Sequence, residues 1–143
     1  MIVAIGCDHA GFDLKEALKE HLKERNIEFK DYGTYSSASC DYPQYAKAVA
    51  EAVVNKEADC GVLICGTGIG MSMAANKVKG IRAAVVGDEF SAQATRSHND
   101  ANVLCMGARV TAREKAIKLM DIFLDTPFSN EEKHKRRISQ IEQ

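Results

Sequence analysis

The stretch Cys65-Gly66-Thr67-Gly68-Ile69-Gly70 joins a thiol to three alternating glycines. It follows the apolar run Cys60–Cys65 and precedes a helical pattern over Met71–Val78, so the thiol should stand at a strand end facing a helix start. Such a position lowers a thiol pKa from about 8.5 and favours the thiolate. A thiolate there can act as nucleophile or general base. The glycines let successive backbone N–H groups converge on one point, and a following helix adds its positive end, which makes an anion hole. The spacing is not that of a Walker phosphate loop, and it fits the dinucleotide fingerprint poorly, although Asp88 lies 20 residues after Gly68 as a ribose-binding acid would. Met71 stands where a Cys-x5-Arg phosphatase loop needs arginine. The plainer alternatives are a tight turn that requires glycine and a buried thiol serving as a small hydrophobe. Cys7, Cys60 and Cys105 take that last reading, and Cys40 is a loop thiol without an assigned role.

Asp8-His9 closes the first apolar run and would share a crevice with Cys65 if the two strands are neighbours. His98 lies outside the apolar stripes, His21 sits on the edge of one as a packing residue, and His134 falls in a basic tail where solvation is its default. Asp8, His9 and His98 lack metal-ligand spacing, so no metal is expected. The tail Lys133-His134-Lys135-Arg136-Arg137 is the one dense basic run. A solvated helix face explains it, yet Lys133 and Arg137 are four apart, as are Arg109 and Arg113. Two such pairs can clamp a phosphate.

These residues need a scaffold, and the hydrophobic pattern describes one. Ile2–Cys7, Ile27–Tyr32, Cys60–Cys65, Ile81–Val86 and Val103–Met106 read as strands. The alternation in Ile27–Tyr32 marks a sheet edge. Helical stripes run through Leu14–Leu22, Tyr45–Val53 (with Pro43 near its start), Met71–Val78, Ser91–Ser97 and Ala116–Leu124. Pro127 ends the last of these, and a basic helix over about 130–143 closes the chain. Strands separated by helices imply βαβ units and a parallel sheet covered on both faces. The expected fold is a single α/β domain over 1–143: a three-layer αβα sandwich around a five-stranded, parallel, Rossmann-like sheet. Ligands bind such sheets beyond the carboxyl ends of the strands, at the switch in strand order.

The 143 residues carry 19 Lys plus Arg against 20 Asp plus Glu, a net charge of −1 that argues against a nucleic-acid or polybasic membrane binder. No apolar stretch is long enough for a membrane span, and the start of the chain lacks the basic and apolar regions of a signal peptide. Five cysteines without a Cys-x-x-Cys pair fit free thiols in a reducing, cytoplasmic setting.

Taken together and in order, four blocks resemble the type B ribose-5-phosphate isomerases, a family shared with galactose-6-phosphate and allose-6-phosphate isomerases. The blocks are Gly6–Gly11, Asp41-Tyr42-Pro43, Cys65–Lys77 and Ser97–Leu104. The resemblance implies an aldose–ketose isomerase of the non-oxidative pentose phosphate pathway that works through an enediolate without metal or organic cofactor. It makes Cys65 the base that moves a proton between C2 and C1, in the thiol branch of the family. It makes the amides of Gly66, Thr67, Gly68, Ile69 and Gly70 the hole for the enediolate oxygen. Thr67 and His98 match residues of sugar-ring opening. Asp8, Tyr42 and Asn99 match sugar-hydroxyl contacts, with Asp8 also in the catalytic set. His9, Arg109 and Arg137 match phosphate ligands. Lys133 stands where the family often has arginine, and supplies charge without a bidentate fork. Hexose-phosphate isomerisation and a non-catalytic sugar-phosphate-binding role are the alternatives, with a dinucleotide-dependent oxidoreductase behind them.

Topology adds one expectation. His98 and Asn99 precede the fifth strand, so in a parallel sheet they lie at the amino edge, away from Cys65. For His98 to act beside Cys65 it must come from another copy, which predicts a homodimer with shared sites.

Overall fold

The computed structural model describes all residues, 1–143. Five strands alternate with helices: β1 Ile2–Cys7, α1 Phe12–Glu24, β2 Glu28–Asp31, α2 Tyr42–Val54, β3 Cys60–Cys65, α3 Ile69–Ala75, β4 Ala83–Val85, α4 Glu89–Ser97, β5 Val103–Gly107, α5 Arg113–Asp125 and α6 Glu132–Ile141. A single 3-10 turn, His9–Gly11, links β1 to α1. All pairings are parallel, in the order β2-β1-β3-β5-β4. The αβα sandwich expected from the sequence is present. No helix is long and apolar enough to cross a membrane.

The strands divide their side chains between two cores, as the period of two demands. Val3, Ile5 and Cys7 of β1, Val62 and Ile64 of β3, and Leu104 and Met106 of β5 face α1, α4 and α5. Ala4, Leu63, Cys65, Val103 and Cys105 face α2 and α3. The second face includes Gly61, where an added Cβ would lie 2.6 Å from Val49, so glycine is what lets α2 settle onto the sheet. Cys65 therefore points into the α2–α3 side at the very end of its strand.

Some boundaries differ from the sequence reading. α3 starts at Ile69, earlier than its apolar stripe suggests, because Gly68 takes a left-handed φ of +83° and opens the helix directly. It then stops at Ala75, and the Asn76 side chain exchanges hydrogen bonds of 2.9 and 2.7 Å with the backbone of Ala83. β4 is correspondingly cut to three residues. Arg109 and Arg113 do not share a helical face: Arg109 lies in the loop after β5, and Arg113 is the first residue of α5.

Candidate active site

The strand order puts the ends of β1, β3 and β5 side by side, with Cys7 opposite Ile64 and Cys65 opposite Gly107. An open cleft of about 440 Å³ lies over these ends, lined by Asp8, Tyr42, Cys65, Gly66, Thr67, Ile69, Gly70, Met73 and Arg109. At its floor the Gly68 N–H donates to Cys65 Sγ at 3.1 Å. Gly68 cannot be replaced cheaply. Its φ is positive, and a Cβ would lie 3.0 Å from the backbone of Met106. The loop amides carry this hole largely alone, since α3 has only seven residues.

Each wall of the cleft has a local cause. Asp8 caps the 3-10 turn, its Oδ1 accepting from Ala10 and Gly11 at 3.0 and 3.2 Å, which leaves Oδ2 uncommitted. His9 starts that turn, and its Nδ1 accepts the Cys40 N–H at 3.2 Å. With Nδ1 accepting, the ring proton belongs on Nε2, a donor for an anion. The Tyr42 ring lies against Gly70, where a Cβ would meet it at 2.6 Å. Arg109 is drawn over the loop by its own backbone, which donates to the Gly66 carbonyl at 3.0 Å. A Cβ on Gly66 would sit 3.3 Å from its guanidinium. Thr67 Oγ1 accepts from Ile69 N at 3.2 Å.

Burial, the dominant influence, pushes Cys7 and Cys60 up to about 12, and raises Cys105 as well, so all three stay protonated. Position at the carboxyl ends of the strands decides between two cavities. The largest one, about 530 Å³, opens at the opposite edge of the sheet among residues such as Lys56, Asp59, Cys60 and Arg82, and its thiol is the unreactive Cys60. No group of three or more His, Cys, Asp or Glu side chains is placed to hold a metal ion. Asp88, the acid a dinucleotide site would need, is engaged in capping α4 through Ser91 N at 2.8 Å.

The remaining predicted residues lie elsewhere in the chain. His98 caps the end of α4, and Asn99 follows it in the turn leading to β5. Cys65 and this turn are separated by the length of a five-residue strand, about 13 Å. α6 packs at the same amino edge. The rings of His98 and His134 stack with centroids 4.4 Å apart and planes 17° apart. Lys133 and Arg137 stand exposed on that helix without carboxylate partners. One chain thus holds two half-sets: thiol, amides, Asp8, His9, Tyr42 and Arg109 at the carboxyl edge, and His98, Asn99, Lys133 and Arg137 at the amino edge. Solvation is the default for His134 in the sequence, whereas α6 turns its ring inward and buries it; only its four-residue spacing from Ile138 hints at an inward face. His21, read as packing, also places its Nε2 within hydrogen-bond distance of Asp121 Oδ2, 2.8 Å, between α1 and α5.

The family model described as Ribose/Galactose Isomerase matches residues 3–141. The chain is 49% identical over 139 residues to ribose-5-phosphate isomerase B of Escherichia coli K12, covering 97% of this chain and 93% of the relative. It is 40% identical over 143 residues to a galactose-6-phosphate isomerase subunit, LacB, of Clostridium acetobutylicum, covering 100% and 83%. The solved ribose-5-phosphate isomerase B of Clostridium thermocellum superposes with a TM-score of 0.97 at 44% identity, covering 99% of this chain and 95% of that one. A thiol on a glycine loop at the switch of a parallel sheet, in a chain matched from end to end, makes this protein a member of the ribose/galactose isomerase family.

Proposed function

We propose that the chain interconverts D-ribose 5-phosphate and D-ribulose 5-phosphate through an enediolate, with Cys65 as the general base and no cofactor. The observation that carries this is the Gly68 N–H donated to Cys65 Sγ at the floor of the cleft. A base and an array of amides then meet at one point, as proton transfer beside a developing oxyanion requires. The Cys65 thiolate takes the proton from C2 of the open-chain aldose. The released electron pair forms the C1–C2 double bond, and the C1 carbonyl becomes an oxyanion held by the amides of Gly66 to Gly70. A proton passes from the C2 hydroxyl to the C1 oxygen, and the Cys65 thiol returns its proton to C1, giving the ketose and restoring the thiolate.

The rest of the set serves this step. Thr67 and His98 open the furanose ring, Asp8, Tyr42 and Asn99 hold hydroxyls, and His9, Arg109, Lys133 and Arg137 hold the phosphate. Because His98, Asn99, Lys133 and Arg137 lie at the amino edge, the working unit is a homodimer in which each copy's amino edge completes its partner's cleft. Exposed apolar side chains support this reading: Ile69 and Met73 on α3, Val85 on the edge strand β4, and Phe90 on α4. The five free thiols fit a reducing, cytoplasmic setting, where the reaction serves the non-oxidative pentose phosphate pathway.

The test is turnover of ribose 5-phosphate by the purified chain beside Cys65→Ala, with galactose 6-phosphate and allose 6-phosphate run in parallel. Pentose turnover that falls about 10²–10⁴-fold in the variant fits the loss of a general base. Hexose turnover alone would move the substrate and keep the chemistry. No turnover of any of the three would leave a sugar-phosphate-binding role.

A further inference from the structure

We infer that Arg82 is a positioning residue for ring opening: its guanidinium holds the His98–Asp100 turn in its working shape. This inference rests on the reading of His98 as the ring-opening group. Arg82 lies in the connection between α3 and β4 and is absent from every motif in the sequence. Its main chain is fixed first. Its N–H donates to Asn102 Oδ1 at 2.8 Å, and its carbonyl accepts from Asn102 N at 3.0 Å. Asn102 is itself held by donating to the Gly80 carbonyl at 2.9 Å. The side chain therefore projects from a rigid base at the entry to β5.

From there the planar fork meets three acceptors. Nε donates to the Asn99 carbonyl at 3.0 Å, Nη2 to the Asp100 carbonyl at 2.7 Å, and Nη1 to Glu142 Oε1 at 2.7 Å. The first two acceptors are consecutive carbonyls of the turn that follows His98. That turn needs holding, because Asp100 is a non-glycine residue at a φ of +46°. Arg96 completes the clamp, donating to Asp100 Oδ1 at 2.8 Å and to the Ala101 carbonyl at 2.6 Å. The third acceptor, Glu142, follows α6, the helix whose His134 stacks on His98. One guanidinium thus links both elements that flank the His98 ring. A lysine would offer charge without the fork, so it cannot serve three acceptors in one plane.

A displaced His98 should slow ring opening while leaving the proton transfer at Cys65 intact, and the two can be read separately. Ribulose 5-phosphate is acyclic, because its C5 oxygen is esterified. Exchange of its C1 hydrogen with solvent deuterium needs Cys65 and the amides but no ring chemistry. Arg82→Ala and the milder Arg82→Lys are to be compared with the unchanged chain and with His98→Ala. All four are assayed for isomerisation of saturating ribose 5-phosphate and, separately, for C1 exchange at saturating ribulose 5-phosphate.

The expected result is a fall in kcat for isomerisation of ten- to about a hundredfold in both Arg82 variants, in line with ångström-scale misplacement of a catalytic group. Exchange should stay within a factor of about three, and added guanidinium ion should restore part of the Arg82→Ala rate. Parallel loss of isomerisation and exchange in the well-folded Arg82→Lys would mark Arg82 as merely structural and overturn the inference. So would undiminished isomerisation in both Arg82 variants. If His98→Ala itself isomerises at the normal rate, the ring-opening reading of His98 falls first, and this inference with it.

Discussion

The two edges of the sheet are built from different material. At the carboxyl edge the atoms proposed for the proton transfer lie on the main chain or on short side chains: the amides of residues 66–70, the Cys65 thiol at a strand end, and the capping Asp8 carboxylate. At the amino edge they are side chains on a helix end and on α6, kept in place by other side chains: the His98–His134 stack and the Arg82 fork. The first region is as rigid as the sheet that carries it. The second is only as rigid as its clamps. The pairing has a chemical logic. On the proposed mechanism, stabilising a fixed oxyanion needs preorganised dipoles, whereas opening a ring and holding a phosphate need groups with reach.

The largest effect tests whether the two edges meet across copies. Cys65→Ala and His98→Ala homodimers should each be impaired at both clefts. Subunit exchange between them places both mutations in one cleft of each hybrid and neither in the other. At statistical exchange about a quarter of all clefts are then intact, so activity should rise to about a quarter of the unmutated level. Hybrids demonstrated by mass but no more active than their parents would show that each cleft is served within one chain.

The same difference explains what the sequence made legible. Main-chain chemistry leaves a mark in residue type, because only glycine tolerates the φ of Gly68 or the ring lying on Gly70. The strand alternation likewise fixes which face Cys65 points to. The edge assignment of His98 needed only the rule that parallel strands share a direction. Clamps leave no such mark. Arg82 reads as one basic residue among 19, and its value comes from carbonyls 17 and 18 residues on. His134 looked solvated because the basic tail around it is, and α6 turns that one imidazole inward. Lys15 lies beside the apolar stripe of α1 rather than in it, yet its side chain is wholly buried.

Lys15 shows that the carboxyl edge also depends on one side-chain clamp. Its Nζ donates to Asp31 Oδ1 and to the Thr34 carbonyl, both at 2.6 Å, beneath the rings of Phe12 and Tyr35. It thereby ties down the loop that carries Cys40 to His9. Lys15→Met removes the cation and leaves Asp31 with Lys19 and the Gly33 N–H, each at 2.8 Å. Breaking a buried pair costs about 3–5 kcal/mol. The retained Lys19 contact puts the loss near the low end, a fall in Tm of roughly 10 °C. The pH response follows. Burial by itself would raise the Asp31 carboxyl, but the hydrogen bonds from Lys15 and Lys19 outweigh it and hold the carboxyl below its ordinary 3.8. Such a group contributes its full stabilisation above 3.8 and loses it as pH falls through the lower folded value. Lys15→Met should move the acid-unfolding midpoint upward. An unchanged Tm and midpoint would mean that the carboxyl edge stands without its clamp.

The smallest effect separates the edges by pH alone. Burial, then the neighbouring His98 ring, holds the His134 imidazole below its ordinary 6.5, with Lys133 and Arg137 acting the same way and Glu131 opposing them. A depressed folded value means that the folded chain binds protons less readily than the unfolded one. The contribution of His134 is therefore complete above 6.5 and declines as pH falls toward and through the folded value. Asp31 titrates lower still, so mild acid should loosen α6 before it touches the carboxyl edge. Amide hydrogen exchange at pH 7.5 and 5.5, corrected for intrinsic rates, reads both regions in one sample. Protection across Glu132–Ile141 should drop severalfold at the lower pH, while that across Cys60–Cys65 should hold. His134→Phe keeps a ring for His98 to stack on and has no proton to gain, so it should flatten the α6 response. If α6 loosens equally in that variant, the pH dependence does not come from His134, and the stack is only packing.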